Sequence, residues 1–153
     1  MTQVKPKAVL MERQVNSPQA TEALCQELLP LLTPGTIVAF FGDLGSGKTF
    51  MIRSLCQKLG CQEPVTSPTF TIMQQYTTAN GTPVYHFDFY RLESTLELSN
   101  IGLEEFMLDD GITFIEWAEK VTEVLPQHRL EIHLQFVEGK PEARKITIIR
   151  RDP

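Results

Sequence analysis

Residues 42–49 read Gly-Asp-Leu-Gly-Ser-Gly-Lys-Thr and match the pattern G-x-x-x-x-G-K-[S/T] at every fixed position. The flanking sequence constrains the fold further. Upstream, Thr36-Ile37-Val38-Ala39-Phe40-Phe41 is a short apolar run of strand formers, as expected of a strand buried on both faces. Downstream, Met51, Ile52, Leu55 and Leu59 recur at helical spacing up to Gly60, a suitable helix-ending residue. In a strand–loop–helix context the glycines let successive backbone N–H groups turn inward around phosphate oxygens, and the helix N-terminus adds the positive end of its dipole. Lys48 then supplies a mobile charge for the β- and γ-phosphates, and the Thr49 hydroxyl is placed for Mg²⁺, a hard cation that bridges phosphate oxygens. Gly42, Asp43, Leu44, Gly45, Ser46, Gly47, Lys48 and Thr49 are therefore the candidate nucleotide contacts. The plainer reading, a glycine-rich turn beside an ordinary surface lysine, does not account for the flanking strand and helix.

The rest of the chain continues the alternation of strands and helices. Ser17-Pro18 reads as an N-cap followed by a first-turn proline, with Ala20, Leu24, Leu28 and Leu31 on one helical face. A proline-marked loop, Glu63 to Thr69, leads into a strand near Phe70 to Tyr76, and Asn80-Gly81 signals a hairpin into the strand Val84 to Tyr90. The segment through Leu96, Leu98, Ile101, Leu103 and Phe106 reads as helical, and Ile112 to Glu116 as a further buried strand. Leu130, Ile132, Leu134 and Phe136 alternate with polar residues, and Lys145 to Arg150 returns as their antiparallel partner at a sheet edge. These elements imply an α/β fold of the P-loop NTPase kind, a single domain over residues 1–153. The expected form is a three-layer sandwich with a mixed, mostly parallel sheet and an antiparallel C-terminal strand pair.

A P-loop requires a carboxylate opposite it, to hold Mg²⁺ or orient the attacking water, and two acids sit on otherwise apolar strands. Glu116 ends the run Ile112 to Ile115, where a buried charge is costly unless it meets a cation, so it is the candidate metal ligand beside Thr49. Asp88 shares a strand face with Val84 and His86, and two roles are open to it: binding a metal-bound water, or a structural pairing with Arg91. Lys48, Asp88 and Glu116 form the catalytic set. His86 reads as a hydrogen-bonded structural histidine rather than a base, because phosphoryl transfer needs mainly positioning and charge stabilisation. Thr66, Ser67 and Thr69 suit either a phosphate-sensing switch or simple turn formation. Trp117 is placed either against the nucleotide or in the core.

A formal net charge of −5 argues against a protein that grips nucleic acid alone, since that affinity rests on Lys and Arg. No apolar run approaches membrane-spanning length and no apolar leader follows Met1, so a cytoplasmic protein without a membrane partner is expected. Cys25, Cys56 and Cys61 lack the number and spacing of a disulfide framework or zinc site, and Cys25 and Cys56 read as small buried hydrophobes. No Asn-Lys-x-Asp guanine reader is present, and Arg91 stands apart from any arginine-rich lid of the kind a small-molecule kinase uses. A free-standing kinase and a non-catalytic, nucleotide-gated binding module are the alternative classes.

GDLGSGKT, SPTFTIMQQY, YHFDFYRL and GITFIEW, in this order and at these separations, resemble the TsaE family over almost the whole chain. The resemblance implies a bacterial ATPase needed for threonylcarbamoyladenosine, the modification on the adenine beside the anticodon of tRNAs that read codons beginning with A. It implies partnership with a TsaB–TsaD heterodimer, in which TsaD carries the transferase site and tRNA is met only through the complex. Hydrolysis, weak in the chain alone, would reset that complex between turnovers. By the same resemblance Lys48, Thr49 and Glu116 fall at the family's phosphate and Mg²⁺ positions, Asp88 at another functional acid, and Thr69 in a switch-like, nucleotide-contacting loop. Arg144, in Gly139-Lys140-Pro141-Glu142-Ala143-Arg144, matches a C-terminal segment that approaches the nucleotide, with Lys140-Pro141 departing from the family pattern. ATP and Mg²⁺ are the implied ligands.

Overall fold

The structure, a computed structural model, describes residues 7–68 and 71–152. Within them lie β1 (Lys7–Val15), α1 (Pro18–Leu28), β2 (Ile37–Phe41), α2 (Lys48–Lys58), β3 (Met73–Thr77), β4 (Pro83–Asp88), α3 (Leu98–Ile101), α4 (Leu103–Met107), β5 (Ile112–Glu116), β6 (Arg129–Val137) and β7 (Lys140–Arg151). The strands form one sheet in the order β1-β7-β6-β2-β5-β4-β3. Its centre is parallel: β2 pairs with both β5 and β6, and β4 with β5. Antiparallel strands finish each side, β3 on β4, and β7 then β1 beyond β6. The mixed sheet and the antiparallel C-terminal pair are as the sequence implies.

Consecutive residues of β2 enter opposite layers, which is why its sequence shows no alternation. Val38 and Phe40 pack with α1 and α2, beside Leu24, Ile52, Leu55 and Phe114. Ile37 and Ala39 pack with Phe87, Phe89 and Ile115 under α3 and α4, together with Ala118 and Val121 from the turns that follow β5. The Phe40 and Phe114 rings meet edge to face with centroids 5.8 Å apart, and each such buried side chain contributes roughly 1.5–3 kcal/mol. Cys25 and Cys56 are buried in α1 and α2, as expected of small hydrophobes.

Local chemistry sets the element ends. Ser17 Oγ accepts the Ala20 N–H at 3.1 Å and caps α1, with Pro18 in its first turn. Between β3 and β4, Gly81 adopts φ +90°, while Asn80 Oδ1 accepts from the Thr82 N–H and hydroxyl at 3.2 and 2.9 Å.

Three expectations need correction. The helical segment around residues 96–106 is two short helices, because Gly102 at φ +75° closes α3 before α4 begins. Strand β3 starts at Met73 rather than near Phe70, which lies outside the described residues, and β4 ends at Asp88 rather than Tyr90. The C-terminal pair does not end the sheet: β7 begins at Lys140, and β1 lies outside it, with Val15 its one buried residue.

Candidate phosphate- and metal-binding site

The loop from Gly42 to Gly47 leaves the carboxyl end of β2 and runs into α2. Gly45 and Gly47 take φ values of +81° and +108°, conformations that side chains resist, so glycine is needed for the loop's inward turn. Gly42 is held by space instead, since a Cβ there would lie 2.5 Å from Ser46 Oγ and 2.9 Å from the Leu134 carbonyl oxygen. Unlike α1, α2 begins without a side-chain cap, so its first-turn N–H groups keep their capacity for an anion. Ser46 Oγ, on a residue 1% exposed, has no hydrogen-bond partner among the described residues, which again suits a loop shaped for an acceptor-rich ligand. Asp43 and Leu44 are exposed.

Lys48, the first residue of α2, is 5% exposed. Its ammonium donates to the Gly42 carbonyl and lies 3.4 Å from the centre of the Trp117 ring. Burial pulls the Lys48 ammonium below its ordinary range, against the upward pull of Glu119, Glu116, Asp88 and Asp43. Trp117 reaches it from φ +59°, an uncommon conformation for a bulky residue, immediately after β5 ends. Tyr90 completes this aromatic wall, its ring 5.0 Å from that of Trp117.

Glu116 and Asp88 end β5 and β4 and are register partners across that parallel ladder. β5 is the direct neighbour of β2, so both carboxylates lie at the sheet edge from which the glycine loop departs. Glu116 is 3% exposed; its Oε1 accepts the Thr49 hydroxyl at 2.7 Å, and its Oε2 lies 2.6 Å from His86 Nε2. Asp88, 2% exposed, accepts the Ser67 hydroxyl at 2.9 Å and the Tyr90 N–H at 2.9 Å. A cavity of about 450 Å³ is lined by the loop, Lys48, Thr49, Ser67, Asp88, Glu116 and Trp117. A second hollow of about 360 Å³ shares Ser46, Gly47 and Phe50 with it and runs toward Ser17 and Thr21.

The oxygen groups lining this cavity include the Thr49 and Ser67 hydroxyls and the carboxylates of Asp88 and Glu116, a set suited to a hard cation such as Mg²⁺. Among the described residues no group of three or more His, Cys, Asp and Glu side chains could hold a metal unaided, so phosphate oxygens and water would complete the coordination.

Arg144 stands on β7, its guanidinium stacked 4.6 Å from the Phe136 ring and donating to the carbonyls of Ser46 at 3.0 Å and Gly45 at 3.3 Å. It thus touches the glycine loop through backbone. Thr69 lies outside the described residues. Glu119 was not among the sequence candidates, although its carboxylate accepts the Gly42 N–H at 3.3 Å and adds to the charge around Lys48. Its position three residues beyond Glu116, in the turn Ala118–Lys120, was the available signal.

A family model described as threonylcarbamoyl adenosine biosynthesis protein TsaE matches residues 15–146. The chain belongs to the TsaE family. Its relatives include proteins named tRNA threonylcarbamoyladenosine biosynthesis protein TsaE from three bacteria. The Bacillus subtilis protein is 39% identical over 78% of this chain and 73% of its own length. The Haemophilus influenzae protein is 38% identical over 80% and 75%, and the Rickettsia bellii protein 38% identical over 87% and 92%. The crystal structure of YdiB from Bacillus subtilis superposes with a TM-score of 0.78 at 28% identity, covering 99% of this chain and 90% of that one. Among the described residues, no helix of this TsaE-family chain is long and apolar enough to cross a membrane.

Proposed function

We propose that this TsaE-family chain is a single-domain Mg²⁺-dependent ATPase that supports a TsaB–TsaD complex in forming threonylcarbamoyladenosine on tRNA. The modified base would be the adenine beside the anticodon of tRNAs reading codons that begin with A. The observation that carries the reading is one cavity in which an uncapped helix N-terminus, Lys48 and Thr49 face two buried carboxylates. In this reading the backbone N–H groups of residues 43–49 bind the phosphates, and Lys48 leaves the Gly42 carbonyl to meet the transferring phosphoryl group. Thr49 and Glu116 would hold Mg²⁺, and the ion would supply charge stabilisation for the phosphate oxygens. Asp88, which accepts from Ser67 and Tyr90, would orient the attacking water. Arg144 fixes the loop carbonyls, and the hollow continuing past Phe50 offers room for the nucleoside. The net charge of −5 accords with tRNA being met only through the complex, in the cytoplasm.

The test is a calorimetric titration of ADP at increasing Mg²⁺ with the parent and Glu116→Gln, which keeps size and loses charge. Glu116→Gln is expected to melt as the parent does and to need about tenfold more Mg²⁺ for the same nucleotide affinity. An unchanged Mg²⁺ requirement would move the metal role from Glu116 to Asp88.

A further inference from the structure

His86 on β4 is wholly buried, on the sheet face that carries Asp88. An imidazole in such a place costs free energy unless both ring nitrogens are engaged. Nε2 lies 2.6 Å from Glu116 Oε2, and Nδ1 lies 3.3 Å from the Tyr76 hydroxyl. A carboxylate only accepts, so the proton belongs on Nε2. In the neutral ring Nδ1 is then an acceptor facing the Tyr76 hydroxyl, whose one proton it shares with the Thr66 carbonyl. Glu116 Oε1 already accepts from Thr49, so the two donors grip opposite oxygens of one carboxylate. Together they define its plane.

Tyr76 adds a second link. Its hydroxyl oxygen lies 3.3 Å from the Thr66 carbonyl as well, while Ser67, the next residue, donates to Asp88. The loop at Thr66-Ser67 therefore reaches both buried carboxylates, Asp88 directly and Glu116 through Tyr76 and His86. The Tyr76 hydroxyl carries one proton and faces two acceptors. A shift of the loop that draws this proton to Thr66 removes the donor that supports His86.

We propose that His86 is a positioning residue for the metal-facing carboxylate: it orients Glu116 toward Thr49, and Tyr76 supports it in that role from the Thr66-Ser67 loop. The proposal rests on the Mg²⁺–nucleotide reading of the site and deepens it. Outer hydrogen-bond partners of a metal-bound carboxylate act on metal affinity while leaving the phosphate cradle alone.

The experiment titrates ADP into the full chain, once in EDTA and then at a series of Mg²⁺ concentrations, for the parent, His86→Leu, His86→Gln and Tyr76→Phe. Thermal melts are recorded alongside. His86→Leu is expected to raise the half-saturating Mg²⁺ about tenfold while the affinity in EDTA changes little. His86→Gln, which places an amide N–H within reach of Glu116, should restore most of the loss, and Tyr76→Phe should show a smaller shift in the same direction. A folded His86→Leu with the parent's Mg²⁺ titration overturns the proposal, as does an affinity in EDTA that falls in step with that in Mg²⁺. Should His86→Leu fail to fold, Tyr76→Phe decides, and an unchanged Mg²⁺ requirement there overturns the proposal. A parent whose ADP binding ignores Mg²⁺ overturns the reading of the site itself; a Mg²⁺-dependent parent with unresponsive variants overturns only the role of His86.

Discussion

Glu131 shows how far partners can outweigh burial at a single residue. It is 2% exposed on β6, and burial alone would push its carboxyl up. His133 Nε2 at 2.8 Å, Arg151 Nε at 2.6 Å and Arg129 Nε at 2.9 Å reverse that and hold it at about 2, against an ordinary 4.5. The folded state thus binds fewer protons than the unfolded one between these values. The carboxylate's contribution, at most about 3 kcal/mol, is complete above pH 4.5 and fades as pH falls toward 2. Glu131→Gln should destabilise the chain by about 2–3 kcal/mol at pH 7, with the gap to the parent closing through the acid range in urea melts. A pH-independent gap would contradict the assignment. This cage was not legible in the sequence, because Arg129, Glu131, His133 and Gln135 read as the solvent face of a strand and Arg151 arrives from β7. Asp88 and Glu116 were legible because acids at the ends of apolar strands are costly without a purpose. For His86 the sequence indicated a hydrogen-bonded residue on the face of Asp88, but its partners Tyr76 and Glu116 come from β3 and β5 and only the sheet brings them together.

Among the elements, the strand–loop–helix unit from β2 to α2 was readable because each part has a local cause: strand formers, glycines, then helical spacing. Space as well as conformation fixes this unit, and Gly42→Ala tests that. The added methyl has the Leu134 backbone on one side and Ser46 Oγ on the other, so the loop must shift at a cost of roughly 1–3 kcal/mol. ADP affinity is expected to fall tenfold or more while far-UV circular dichroism stays parent-like; parent affinity would mean that the loop tolerates displacement. β1 was invisible for the opposite reason. Nearly all of its residues are exposed, so the strand has no buried face to write a period of two, and its place is set by pairing with β7. The break between α3 and α4 also escaped the apolar pattern, which continues across Gly102, whereas the backbone there turns left-handed.

At the scale of the molecule, a glycine-rich loop, two buried carboxylates and an aromatic wall converge at one edge of the sheet in this chain, which belongs to the TsaE family. We propose that this site hydrolyses Mg-ATP, weakly in the chain alone and faster in company with TsaB–TsaD. In that proposal Lys48 matters most, because its ammonium, now donating to the Gly42 carbonyl, would follow the transferring phosphate. The most direct measurement is phosphate release from Mg-ATP by the full chain, alone and with TsaB–TsaD, for the parent and for Lys48→Ala. Slow release by the parent alone, a marked rise on adding TsaB–TsaD, and at least a hundredfold loss in folded Lys48→Ala under both conditions are expected. Release by Lys48→Ala at the parent rate, or a parent rate that ignores TsaB–TsaD, would overturn the proposal.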